Sequence, residues 1–173
     1  HNNLAIVLKH LGLARESVQH AMRAVELAPT SAAYRYNLGL VLAMLGQREQ
    51  AIAAFRHALS LDPRLVDARC ALGNGLISLG RLDEAAAAFD DVLEMQPTHT
   101  AALAGKAEVL NLGGRFSEAA ALLDPILTAG ADPSVIAVFA QFAHHVGRTD
   151  EALPRVDAVL EAPTLSQPLR AKL

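Results

Sequence analysis

The sequence of 173 residues has no tryptophan, a single cysteine and only 4% aromatic residues. Lone Cys70 excludes an internal disulfide framework and fits a reducing compartment, so the cytoplasm is the expected location. The formal net charge of −3 and pI near 6.2 lack the clustered basic excess of a nucleic-acid surface, and no nucleic-acid partner is expected. Gly, Arg, Glu or Asp interrupts every apolar stretch before the ~18 residues that a bilayer-crossing helix requires, so no membrane insertion is expected. The opening residues do not read as a secretory leader, and none is expected within them. The chain opens at His1 rather than Met and reads as helix at once, the pattern expected of a fragment or processed product.

What is present is alanine and leucine, both strong helix formers, within a 52% hydrophobic composition. Small core residues of this kind let helices pack closely. They recur with a fixed period. Gly12, Gly46, Gly80, Gly114 and Gly147 stand at intervals of 34, 34, 34 and 33, and Ser17, Ala51, Ala85, Ala119 and Ala152 follow them at the same intervals. Pro29, Pro63 and Pro97 keep the 34-residue step. A period in this range marks stacked units, each too small to bury its own apolar face.

Each unit reads as helix–turn–helix. In the second, Tyr34, Leu38, Val41, Leu42 and Leu45 form one helical stripe, and Ala51, Ile52, Phe55, Ala58, Leu59 and Leu61 form the next. Gly46 closes the first helix and Asp62-Pro63 stops the second. Asp83, Ser117 and Asp150 are read as N-caps. Helices are expected over 1–11, 14–27, 32–45, 48–61, 66–79, 82–95, 100–112, 116–128, 134–146 and 150–161, and Pro168-Leu169-Arg170 is expected to open another. The units are 1–31 (partial), 32–65, 66–99, 100–132 and 133–164, in a single all-α solenoid over 1–173.

Leu38-Gly39, Ala51, Phe55, Ala58 and Pro63, with Leu72-Gly73, Ala85, Phe89 and Pro97, resemble the tetratricopeptide repeat (TPR) signature over residues 1–162. That resemblance implies a right-handed α-solenoid whose first helices line a concave groove for a protein or extended peptide. It also sets out the departures. Arg35, Arg69 and Leu103 replace the family's first aromatic, and Lys106-Ala107 replaces Leu-Gly in the fourth unit. The fifth unit has Phe139-Ala140 there and a ragged end at Glu161-Ala162-Pro163. Pro125 and Pro154 fall inside expected second helices, where each costs about 3 kcal/mol unless the helix kinks or starts later. The array is therefore expected to be regular to about residue 115 and bent or loosened after it, with 128–133 as the likeliest break. Gly39 and Gly73, mid-helix, are expected to mark close approach of a neighbouring helix.

First-helix residues pointing away from the stripes are the candidate peptide-binding set: Asn3, Tyr36, Asn37, Leu40, Met44, Asn74, Ser78, Glu108, Asn111 and Gln141. Asn2, Ile6, Lys9, His10, Cys70, Ile77, Leu112, His144 and His145 point the same way and complete the ligand-facing set. An amide offers donors and an acceptor, so a row of them can hold a peptide main chain regardless of its sequence. Asn3 and Asn37 share one repeat position, resembling the asparagine ladder of O-linked N-acetylglucosamine transferases, whereas Asn74 and Gln141 share a position three residues later. The basic clamp of co-chaperone repeats is not matched. Tyr36, Cys70 and Ala104 stand at its positions, and Asp67 and Glu108 would repel an acidic tail.

No catalytic residue, cofactor or metal site is expected. His144 and His145 point about 100° apart on a helix and cannot converge on one ion. Gly113-Gly114 follows a helix rather than a strand, so it is no phosphate loop. The favoured reading is a non-enzymatic scaffold for protein–protein interaction. Its competitor is the recognition arm of a larger bacterial enzyme, a sulfotransferase or glycosyltransferase, by analogy of composition and of the TLSQPLRAKL ending. Uncapped solenoid ends would give a third role, homo-oligomerisation.

Overall fold

A computed structural model describes residues 1–127 and 131–161, with side chains to Val159. Among these residues every regular element is helical. The α-helices are α1 (Asn2–His10), α2 (Ala14–Leu27), α3 (Ala32–Met44), α4 (Arg48–Leu61), α5 (Val66–Ser78), α6 (Leu82–Met95), α7 (Thr100–Leu112), α8 (Phe116–Leu123), α9 (Pro133–Phe142) and α10 (Thr149–Glu161). This is an all-α helical-repeat solenoid, in two compact units, His1–Ala88 and Phe89–Leu173.

The periodic glycines explain the regular hairpins. Gly12, Gly46, Gly80, Gly114 and Gly147 have φ between 70 and 75°, the left-handed region that a side chain resists. Just after each, an amide reaches back to a helix carbonyl. Gln47 N–H donates to Leu42 C=O at 3.0 Å and Arg115 N–H to Leu110 C=O at 2.8 Å, with equivalents at Leu13, Arg81 and Arg148. This Schellman closure satisfies carbonyls that the helix end leaves orphaned. Because it uses the residue right after the glycine, the next helix begins immediately. Asp83, Ser117 and Asp150 are therefore second residues of α6, α8 and α10 rather than N-caps. Asp83 and Asp150 still favour those helices, since a negative charge in the first turn opposes the helix dipole. Side-chain caps occur at first helices instead. Ser31 accepts from Tyr34 N–H, His99 from Ala102 N–H and Asp132 from Ser134 N–H.

Departures follow the prolines unevenly. The helix expected over 116–128 ends at Leu123 and tightens into a 3₁₀ turn, Asp124–Ile126, around Pro125. The helix expected over 134–146 stops at Phe142 and continues as a 3₁₀ turn, Ala143–Val146. Pro154, by contrast, sits inside an unbroken α10. There the Arg155 guanidinium donates to the Glu151 carbonyl at 2.9 Å and to the Leu127 carbonyl at 3.2 Å. The further helix expected at Pro168-Leu169-Arg170, the ragged end at Ala162-Pro163 and the first half of the expected break at 128–133 lie outside the described residues.

Packing within each unit rests on small residues and phenylalanines. In the first, Leu42, Ala51, Ala54 and Phe55 form a buried cluster bordered by Tyr36, Leu38 and Leu40. Leu61, read as part of the buried stripe, is exposed at the end of α4, while Gly39 and Gly73 are buried. In the second unit, Phe139 and Phe142 meet edge to face at 5.6 Å, and the Arg148 guanidinium lies 4.9 Å from the Phe139 ring centre. Ser17 is the one polar member of the alanine position. Its hydroxyl donates to the Ala5 carbonyl at 2.7 Å, so its burial leaves no unmet donor.

Candidate functional site

First helices of successive repeats lie side by side within each unit, α1 beside α3 beside α5, and α7 beside α9. Three of the predicted residues come together between α3 and α5. Leu40, Asn74 and Ser78 line a cavity of about 300 Å³, with Ala51 and Phe55 of α4 behind it and Arg48 among its lining residues. Asn74 and Ser78 are exposed and Leu40 is half-buried. The Ser78 hydroxyl donates to the Gly75 carbonyl at 2.7 Å, which fixes its rotamer.

Nearer the start of the same helices the surface changes character. Tyr36 is half-buried with its ring centre 6.0 Å from that of Phe55. Burial, then the charge of Asp67 and the neighbouring Cys70, push the Tyr36 phenol upward, so it stays a neutral donor and acceptor. Burial first and Asp67 second push the Cys70 thiol up to about 11. A thiol held protonated is no nucleophile. Cys70, read as facing the groove, is in fact buried.

The amides do not form one free row. Asn37 donates to the Oδ1 of Asn2 at 2.8 Å, joining α3 to α1, while Asn3 is exposed and outside this bond. Asn111 donates to the Gln141 carbonyl oxygen at 3.4 Å, joining α7 to α9. Met44 is exposed at the end of α3, and Glu108 is half-buried on α7. His145, read as facing the groove and rejected as a metal ligand, stacks on Phe116 at 4.1 Å with the rings 10° from parallel.

The sequence reading missed an ion-pair register at the starts of second helices. Arg81 grips Glu84, Arg115 grips Glu118 and Arg148 grips Glu151, each three residues apart, with a closest contact of 2.6 Å in all three. The signal was present, because both the arginines and the glutamates repeat at intervals of 34 and 33. Arg148 also reaches Asp124 at 2.5 Å, and Arg56 of α4 reaches Glu84 of α6 at 2.7 Å. The guanidinium hydrogen bonds hold Glu84, Glu118 and Glu151 below the usual carboxylate range.

Helix pairs closed by left-handed glycines and stacked in register define the class of helical-repeat proteins. Two tetratricopeptide repeat family models match the chain, one at residues 1–64 and one at 76–142. The chain belongs to the tetratricopeptide repeat family. Among solved structures it resembles a thermophilic TPR protein of Thermus thermophilus, with 22% identity and a TM-score of 0.82 over 99% of this chain and 94% of that one. It also resembles a tetratricopeptide repeat protein of Parabacteroides merdae, with 19% identity and a TM-score of 0.83 over 99% of this chain and 67% of the other. The pilF protein of Pseudomonas aeruginosa is a third, with 17% identity and a TM-score of 0.80 over 97% and 77%. Likeness at such identities establishes the fold. No curated protein matches the sequence significantly. Tetratricopeptide repeats generally mediate protein–protein interaction, and the fold is typically non-catalytic. Among the described residues no helix is long and apolar enough to cross a membrane.

Proposed function

We infer that the chain is a binding module that holds an extended segment of a partner protein along its first helices and acts as a scaffold. The observation that carries this reading is the recess between α3 and α5, where Leu40, Asn74 and Ser78 meet over an apolar floor. An extended segment presents alternating side chains and a main chain to such a surface, and apolar contact with amide hydrogen bonds serves both. Asn37 commits one donor to Asn2 and keeps its second, while the Asn74 side-chain amide has no hydrogen-bond partner among the described residues. Asn3, Tyr36 and Met44 extend the surface in the first unit, and Glu108, Asn111 and Gln141 form its counterpart in the second. The same residues would serve a free-standing adaptor or the recognition arm of a larger enzyme.

The test is selection of random extended peptides on the intact chain, followed by binding to an Asn37→Ala/Asn74→Ala double variant. Both positions are polar and partly or fully exposed, so the fold should survive, which circular dichroism checks. Selected peptides should lose most of their affinity. Undiminished binding would remove the groove from the proposal.

A further inference from the structure

The recess between α3 and α5 has Ser78 and Ala43 in its lining, small residues where the 34-residue register carries larger side chains in the adjacent repeats. One repeat before and after Gly75 stand Val41 and Val109, and one repeat before and after Ser78 stand Met44 and Leu112. Ala43 likewise occupies the position of Lys9 and Ile77. A Cβ added at Gly75 would come within 3.1 Å of the Ile52 Cγ1, so the space beside it is already tight against α4. What remains open is about 300 Å³, floored by buried Ala51 and Phe55. That volume lies at the lower end of small-molecule sites and suits one large side chain together with its backbone.

The lining is chemically one-sided. Arg48 is its only charged residue, and it is exposed with no ion-pair partner among the described residues. Asn74 is likewise uncommitted. A lone guanidinium beside an apolar recess is complementary to a carboxylate next to an apolar group, and it disfavours a cation there.

Resting on the groove reading above, we propose that this recess is a side-chain socket for a partner segment in which one large apolar residue, aromatic or leucine-sized, adjoins an acidic residue. The apolar side chain lies on Phe55 and Ala51, the carboxylate meets Arg48, and the Asn74 amide holds the main chain between them. Specificity then comes from this junction, where Ser78 leaves the rim open.

The experiment uses the ¹⁵N-labelled chain and an acetylated, amidated pentapeptide, Gly-Gly-Phe-Glu-Gly, followed by amide chemical shifts. The Gly75 backbone and Asn74 side-chain signals should move. Replacing Phe by Ala in the peptide should weaken binding more than about tenfold, as expected for losing a buried aromatic side chain. Arg48→Glu should weaken the parent peptide by roughly fivefold or more and leave the peptide with Gln in place of Glu almost unchanged. Ser78→Met, which imports the Met44 side chain at an exposed rim position, should block binding without loss of fold. The socket is refuted if Gly75 and Asn74 stay unmoved up to millimolar peptide, or if binding survives Ser78→Met. Equal binding of the Glu and Gln peptides refutes the acidic requirement. These failures differ from failure of the groove itself, because selected peptides sensitive to Asn37→Ala/Asn74→Ala would still bind.

Discussion

A Cβ placed on Gly39 would stand 2.4 Å from Cε1 of Phe55 and 2.6 Å from its Cδ1. Phe55 is 2% exposed and packed with Leu42, Ala51 and Ala54, so displacing its ring disturbs that cluster. Gly39→Ala should therefore destabilise the chain despite the roughly 1 kcal/mol gain in helix propensity, because overpacking costs about 1–3 kcal/mol. Gly39→Leu should cost more. Urea unfolding checks both, and unchanged midpoints would refute the packing account.

Gly105 shows why only part of this was legible in the sequence. The Leu-Gly register points to Ala107 in the fourth unit, whereas Gly105 makes a different close approach, in which a Cβ would fall 2.3 Å from Cζ of Phe89 on the second helix of the preceding repeat. Periodicity located the helices well, because left-handed glycines and helix-stopping prolines are local requirements. It failed for the α8 end, where the competition between helix and 3₁₀ turn around Pro125 is decided by packing. The site was legible in the same uneven way. Leu40, Asn74 and Ser78 were readable as one face, but the recess they line depends on side-chain size relative to neighbouring repeats. The bond from Asn37 runs to Asn2, 35 residues away, and a 34-residue register pointed instead to Asn3.

Gly46 tests the backbone alone. Its φ is 73°, and a Cβ there would meet nothing within 4 Å. Gly46→Ala should thus cost about 1–2 kcal/mol purely through left-handed strain, and Gly46→Asn distinctly less. A denaturation midpoint unaffected by alanine would show that the α3–α4 closure does not need this conformation.

Glu84, Glu118 and Glu151 predict an acid-sensitive edge. Hydrogen bonds from Arg81, Arg115 and Arg148 hold their folded-state pKa values below that of the unfolded chain, near 4.3 for Glu. Above that value both states are ionised and the stabilisation is fully present. As pH falls below it, the unfolded state takes up protons first and the stabilisation is progressively lost. The melting temperature should decline from about pH 5 downward, and Glu151→Gln should flatten that decline. Salt near 1 M should weaken the exposed Arg115–Glu118 pair more than the half-buried Arg148–Glu151 pair, whose side chains are 29% and 33% exposed. A pH profile identical in the Glu151→Gln variant would remove that pair from the account.

Cys70 should be slow to react in the folded chain. Burial and Asp67 raise its pKa to about 11, against about 8.5 for an ordinary thiol, so the thiolate fraction at pH 8 falls to roughly one in a thousand. Iodoacetamide should modify native protein far more slowly than urea-unfolded protein, with a native rate still climbing above pH 9. Asp67→Asn should speed the reaction modestly, since it removes the second cause and leaves the first. The same shift sets a stability trend at the alkaline end. The protonated thiol's contribution is complete below about pH 8.5 and is lost as pH rises towards 11, because the unfolded state releases its proton first. A native alkylation rate already at its plateau by pH 9 would show that the thiol is neither buried nor influenced by Asp67 in solution.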